Sequence, residues 1–385
     1  MTTLRRKIHE NPELAFEEYE TTKLIERELN KYGIETRPNG DKTGVIGLLK
    51  GSGKGKVAAL RADIDALPVT EMSGLPFASA SAGKCHACGH DIHTAALLGA
   101  ARLLAERRDE LHGAVKFLFQ PAEESVNGAR TMIANGALKN PDVDVILALH
   151  TWPDLPIGSV GIRKGAMMAA PDRFRIVIHG KGGHAAHPHK SVDPVVVGAS
   201  IIMNLQTIVA REISPVDSAV ITIGKLAAGT ASNVIPPTAE LDGTFRTVSK
   251  ETRLHVRESL ERVVTHTALS LRATADVEFF PGGPPLICDD ETVDAAADAV
   301  RALLGGDTVK ELPSPSMGSE DFADYLEHVK GALLRIGTGN QQPESHVALH
   351  NPSILFDERA IVTGAIVLAG AAFKLTGSDF DRLFQ

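Results

Sequence analysis

Six of the nine residues in Cys85-His86-Ala87-Cys88-Gly89-His90-Asp91-Ile92-His93 are metal ligands by type, or carboxylates able to support one. A thiolate among imidazoles suits zinc or a similar borderline metal. The run falls in the turn before a predicted helix. Such a turn can aim Cys88 and His90 into one pocket. Cys85 and Cys88 also have the C-x-x-C spacing of a redox pair or of half a zinc finger. Against both, no second C-x-x-C or H-x3-H follows at finger spacing, and three histidines share the run.

A second candidate is Gln120-Pro121-Ala122-Glu123-Glu124, at the end of a predicted strand. Sheet ends are where α/β proteins place ligand-binding groups. Adjacent carboxylates in an extended turn point different ways, so one can bind metal while the other faces substrate as a proton shuttle. Such a base needs burial to move its pKa toward neutrality, against the pull of a cation. A solvated pair is the ordinary alternative. Arg61-Ala62-Asp63-Ile64-Asp65-Ala66-Leu67-Pro68 also ends a strand, and an acid there can orient a ligating imidazole or simply cap a turn. His150 and His350 stand alone after apolar runs, where a histidine is usually structural. Gly182-Gly183-His184-Ala185-Ala186-His187 suits a substrate-facing loop or surface metal binding. Asn233 and Arg246 can hold a carboxylate or a developing oxyanion, although each type is more often structural.

The elements that must position these residues alternate early. Leu24, Ile25, Leu29 and Tyr32 mark a helical face over 17–32, ended by Gly33. Buried strands are expected at 45–49, 57–62, 115–119 and 143–150, with a helix over 93–108. This is an α/β pattern with helices on both faces of a sheet. After Lys164 the order becomes strand 172–179, helix 193–209, strands 218–226 and 239–247, helix 250–270 and strand 273–280. That β-α-β-β-α-β order is a split βαβ, ferredoxin-like α+β unit. The α/β signals then resume with a helix at 291–304, a strand at 332–337 and a helix from Glu358. The expected organisation is therefore a discontinuous main domain, 1–167 and 284–385, holding an inserted domain at 168–283.

The chain has 385 residues, which favours two domains. Its net charge is −8 and only 4% of residues are aromatic, so a nucleic-acid surface, an anionic-membrane surface or a base-stacking platform is disfavoured. Residues 360–375 are apolar but are interrupted by Thr363, Gly364 and Lys374, too short a run to span a bilayer. MTTLRRKIHENPEL lacks the apolar core of a leader. Three cysteines make no disulfide framework. A cytoplasmic protein is expected.

Together the motifs resemble the metallo-aminohydrolase family of bacterial aminoacylases, hippurate hydrolases and auxin-conjugate amidohydrolases. The resemblance runs nearly the whole chain, from Arg6, His9 and Pro12-Glu13-Leu14 through Asp63–Pro68, Cys88-Gly89-His90-Asp91, Gln120–Glu124, His150 and Gly183-His184 to Gly318-Ser319-Glu320-Asp321-Phe322 and His350. It implies a metallopeptidase-like catalytic domain with an inserted lid and dimerisation domain. Cys88, His90, Glu124, His150 and His350 would hold two divalent ions (zinc, manganese or cobalt). Glu123 would be general base and acid, and Asp65 would keep the site's geometry. His184 would donate to the oxyanion across a dimer interface, and Asn233 and Arg246 would meet the substrate's carboxylate. Cys85 departs from the family, where methionine is frequent. The expected activity is hydrolysis of the amide of an N-acyl amino acid by an activated water, in a homodimer or higher oligomer. A dipeptidase or carboxypeptidase with the same metals, a C-x-x-C oxidoreductase and a non-catalytic binding protein are the competing readings.

Overall fold

Long runs of buried apolar residues produce the main sheet. In a computed structural model that describes residues 1–380, eight strands lie in the order Glu35–Asn39, Lys42–Lys50, His112–Gln120, Gly53–Asp63, Val145–Pro156, Lys330–Gly339, Val160–Ile162 and Val309–Glu311. The four strands from His112–Gln120 to Lys330–Gly339 are parallel neighbours. Parallel strands covered on both faces are apolar throughout, as in Ala58-Ala59-Leu60 and Ile146-Leu147-Ala148, all 0% exposed. Three motif segments leave this sheet at Asp63, at Gln120 and within Val145–Pro156, and the chemistry is built there.

Sequence patterning found five of these eight strands, missed Glu35–Asn39, Val160–Ile162 and Val309–Glu311, and misplaced some ends. The helix expected over 93–108 is His90–Glu106. Gly89, at φ 83°, turns the chain one residue before His90, so His90 opens the helix rather than lying in the preceding turn. A Cβ on Gly89 would come within 2.6 Å of Thr151 Oγ1, so this turn requires glycine. The strand expected to stop at His150 continues to Pro156. Glu35–Asn39 is polar and contains Pro38, and its pattern hides an edge strand that pairs on one side only.

Two compact units divide the chain. One comprises 1–165, 287–314 and 321–385, and the other 166–286 with 315–320. Residues 315–320 join the second because Ala169 N donates to Ser316 O and Gly318 O, and Arg246 Nη1 donates to Met317 O at 3.0 Å.

The second unit has an antiparallel sheet ordered Ala219–Ala228, Thr238–Thr247, Ala170–His179, Thr274–Phe280, with the connectivity β-α-β-β-α-β. Inward and outward residues alternate along Ala170–His179 and Thr238–Thr247, as expected of a sheet with one face in a core. Phe174, Ile176, Ile178, Leu241 and Phe245 from the sheet pack with Val197, Ile201 and Leu205, and with Val256, Leu260 and Val264. These come from helices Pro194–Thr207 and Lys250–Ser270, capped by Asp193 and Ser249. With its π-helical continuation the first runs over Pro194–Glu212. By length and composition this segment is apolar enough to cross a bilayer, which the sequence pattern did not flag.

Candidate metal centre

The centre is assembled around Cys88. Its Sγ lies 3.6 Å from His150 Nε2. Two triads share it, Cys88–His90–His150 and Cys88–Glu124–His350, and within each the ligand atoms lie within 4.8 Å of one another. The five side chains expected as ligands are thus in one place, brought there by three separate stretches of the first unit and by His350. His350 sits at φ 69° and donates its N–H to Ala87 O at 2.9 Å, which ties it to the cysteine turn.

Hydrogen bonds orient the donor atoms. His90 Nδ1 donates to Asp65 O at 2.9 Å, and His150 Nδ1 donates to Thr151 O at 2.8 Å. Each bond leaves the Nε2 lone pair facing the centre. Asp65, 1% exposed, also accepts from Glu124 N at 3.0 Å through Oδ2. It therefore touches the imidazole of one triad and the backbone of the other. Glu123 is 7% exposed and groups with His90 and Glu124.

The donors fit divalent cations. His90 Nε2 is buried with no hydrogen-bond partner among the described residues, its carboxylate neighbours Asp63 and Glu124 standing 3.7 and 3.9 Å away, although most buried polar atoms in proteins are paired. Sulfur, imidazole and carboxylate together are the donor set of zinc and its neighbours. Without a cation, burial pushes the Cys88 thiol up and, with His93 nearby, the His150 imidazole down. Hydrogen bonds to Cys88 and Glu124 raise His350 to about 10.

His93 completes the ligand-rich run but is committed elsewhere. Its Nδ1 donates to Asp63 Oδ1 at 2.5 Å, and its Nε2 accepts from Thr151 N at 2.8 Å. Both nitrogens are used, so His93 braces the strand carrying His150. Burial opposes the charge of Asp63, but His90, His93 and Arg61 outweigh it and hold its carboxyl well below the usual range. Arg61, itself fully buried, reaches Asp63 at 2.7 Å and Asp321 at 2.9 Å, and donates from Nε to Gln120 at 2.9 Å. A second brace lies behind Asp91. Its Oδ2 is 2.6 Å from Arg5 Nε and 2.7 Å from His9 Nδ1, and His9 Nε2 meets Glu71 at 3.0 Å. Sequence reasoning did not assign roles to Asp63, His93, Arg61 or Asp321. The only signal was their presence in the motifs.

The remaining candidates belong to the second unit. Strand Gly183–His184 pairs with Val234–Ile235, and Ala185 N donates to Asn233 O at 3.1 Å, so the loops of His184 and Asn233 are stitched together. Both residues are exposed. Arg246 lies on another strand, half-buried and bonded to Met317 O.

A mixed sheet with a parallel centre, and a cysteine, imidazoles and carboxylates gathered where its motif segments meet, has the make-up of a metallohydrolase domain. Residues 59–374 match the model of "Peptidase family M20/M25/M40", and the chain belongs to that family. It is 43% identical over 381 residues to N-acetyl-L-cysteine deacetylase of Bacillus subtilis, covering 98% of this chain and 88% of the relative. It is 38% identical over 376 residues to thermostable carboxypeptidase 2 of Saccharolobus solfataricus, covering 97% and 94%. A crystal structure of a dinuclear metal-binding M20 peptidase from Bacillus subtilis superposes with a TM-score of 0.87 at 40% identity, covering 98% of both chains. The protein is a metal-dependent amidohydrolase.

Proposed function

We propose that this enzyme hydrolyses the amide bond of N-acyl amino acids, with Glu123 as general base and acid. The supporting observation is the pair of donor triads sharing Cys88 beside the buried Glu123 carboxylate. Cys88, His90, Glu124, His150 and His350 would hold two divalent cations, with zinc, manganese and cobalt all suited to the donors. Bound there, such cations supply Lewis acidity and make water a nucleophile at neutral pH. Glu123 takes a proton from the attacking water at its carboxylate and returns it to the departing amine nitrogen. Asp65 keeps the His90 ring and the Glu124 backbone in register through the contacts described above. His184 donates to the oxygen that gains charge as the amide carbon becomes tetrahedral. Asn233 and Arg246 receive the substrate's carboxylate.

The second unit presents an edge strand, Ala219–Ala228, with Val220 and Leu226 exposed, and a helix with Val196 and Met203 exposed. These features favour a second copy of the chain as partner, with His184 serving the neighbouring protomer. Three free, buried thiols fit a reducing compartment such as the cytoplasm.

Metal-replete enzyme assayed on acetyl- and benzoyl-amino acids against dipeptides tests the substrate class. Higher kcat/KM on acyl amino acids supports it. Preference for dipeptides would instead favour the peptidase reading that the similarity to a carboxypeptidase keeps open.

A further inference from the structure

We infer that Glu18 is a positioning residue for the turn bearing Glu123 and Glu124, its buried carboxylate fixing the Ala122 amide and thereby the place of the base. The inference rests on the reading of Glu123 as that base. Glu18 lies just before the helix Tyr19–Lys31 and is 0% exposed. Its Oε1 accepts from Ala122 N at 2.9 Å and its Oε2 from Thr43 Oγ1 at 2.5 Å. No cation pairs with it among the described residues, and a hydroxyl and backbone N–H groups, that of Ala122 among them, hold the buried carboxyl.

The turn needs such an anchor. Ala122 and Val126 both have φ 56°, a left-handed conformation that disfavours residues carrying a Cβ. Within the turn, Val126 N donates to Glu123 O at 2.7 Å and Gly128 N to Ala122 O at 3.2 Å. The amides on either side of Glu123 are held from outside by carboxylates of two other segments, Ala122 by Glu18 and Glu124 by Asp65. Glu123 therefore stands between two amides that acidic side chains hold by hydrogen bonds. Pro121 is walled in as well. A Cβ on Gly44 would come within 2.7 Å of its Cδ, and one on Gly128 within 1.7 Å of its O. With Pro121 held in this way, loss of the Glu18 anchor frees the turn at Ala122, next to the base.

The test compares metal-replete wild type, Glu18→Ala and Glu18→Gln. The readouts are kcat and KM on an N-acetyl amino acid, metal content, and residue-resolved hydrogen exchange. Glu18→Ala should lower kcat roughly tenfold or more, the scale of a misplaced catalytic group, with KM and metal content little changed. Exchange should accelerate at residues 120–128 and not elsewhere. Glu18→Gln can still accept from Ala122 N and donate to Thr43, so it should recover most of kcat and of the protection. Wild-type kcat in Glu18→Ala overturns the inference. So does accelerated exchange across the whole chain with no recovery in Glu18→Gln, which marks general destabilisation. If Glu123→Gln retains full turnover, the assignment of the base fails, and the exchange data then decide on Glu18 alone. Local acceleration reversed by glutamine sustains the anchor, and unchanged exchange removes it.

Discussion

Apart from the exposed His350 of the first and the half-buried Arg246 of the second, the two compact units hold their functional candidates in opposite ways. In the first, His90, His150, Asp65 and Glu123 are buried, and hydrogen bonds to backbone or carboxylate fix both imidazoles. In the second, His184 and Asn233 are exposed and joined to their surroundings chiefly through backbone bonds. A cation site must have its donors desolvated and aimed before the metal arrives, and folding bears that cost. Recognition groups can stay open until substrate or a partner covers them. Substitutions in the first unit should therefore disturb metal retention, stability and turnover together. Those in the second should disturb turnover alone.

Metal removal should have the largest effect. Chelation should abolish activity and also lower the melting temperature, because His90 Nε2 is then buried with its carboxylate neighbours Asp63 and Glu124 no nearer than 3.7 and 3.9 Å. Protons compete with the metal for these groups. With His350 raised to about 10 and His90 raised by Asp63 against its burial, metal loss should accelerate as pH falls. Activity and melting temperature measured after dialysis against chelator at several pH values check this. An apo protein as stable as the holoenzyme would break the contrast between the units.

Glu123→Gln comes next. It removes a proton carrier but no proposed ligand, so kcat should fall by roughly 10²–10⁴ with both metals retained, as metal analysis beside steady-state kinetics can establish. His184→Ala should lower kcat by about 10²-fold or more if the imidazole is an oxyanion donor. Because His184 is exposed, its loss should leave metal content and melting temperature at wild-type values. A matching loss of stability would place His184 among the structural residues and weaken the contrast. Mixing His184→Ala with Glu123→Gln protomers sharpens it further, since a site completed by a second copy should regain activity in the hybrid.

The sequence made some of this legible and hid the rest for physical reasons. The central strands of the main sheet show as apolar runs, and strands of the insertion alternate with period two, because burial acts directly on residue type; the polar strands Glu35–Asn39 and Val309–Glu311 at the sheet's edges do not show. Cys88 and His90 announce themselves by local density. His150 and His350 do not. Their meaning depends on the order of parallel strands and on a bond from His350 to Ala87, and only the family resemblance singled them out. The braces were harder still. Arg61 and Asp321 are 260 residues apart, and Asp63 and His93 are 30 apart. No periodicity links such partners. Glu18 is the clearest case. The helix expected over 17–32 gave Glu18 no role, yet this acid lies just before the helix Tyr19–Lys31, fully buried and facing another segment.

That burial gives the smallest and most specific of the expected effects, a dependence of stability on pH. Burial raises the Glu18 carboxyl from an ordinary 4.5 to about 7, against the lowering effect of its bond from Thr43. A raised folded pKa means that the folded protein binds this proton more tightly than the unfolded chain does. The resulting stabilisation is fully present below about 4.5 and is lost as pH climbs through about 7. Glu71 acts in the opposite sense. Burial opposes its charge, but hydrogen bonds from His9 and Ser73 pull its pKa down to about 2, so its contribution is present above the ordinary range and lost as pH falls through about 2. The difference in unfolding free energy between wild type and Glu18→Gln cancels such common contributions. It should shift in favour of the glutamine variant between about pH 4.5 and 7, by a few kcal/mol at most, and level off above. Denaturant unfolding of both proteins across that range measures it. A flat difference would mean that Glu18 meets water in solution, and the anchored turn of the first unit would then be as open as the loop of the second.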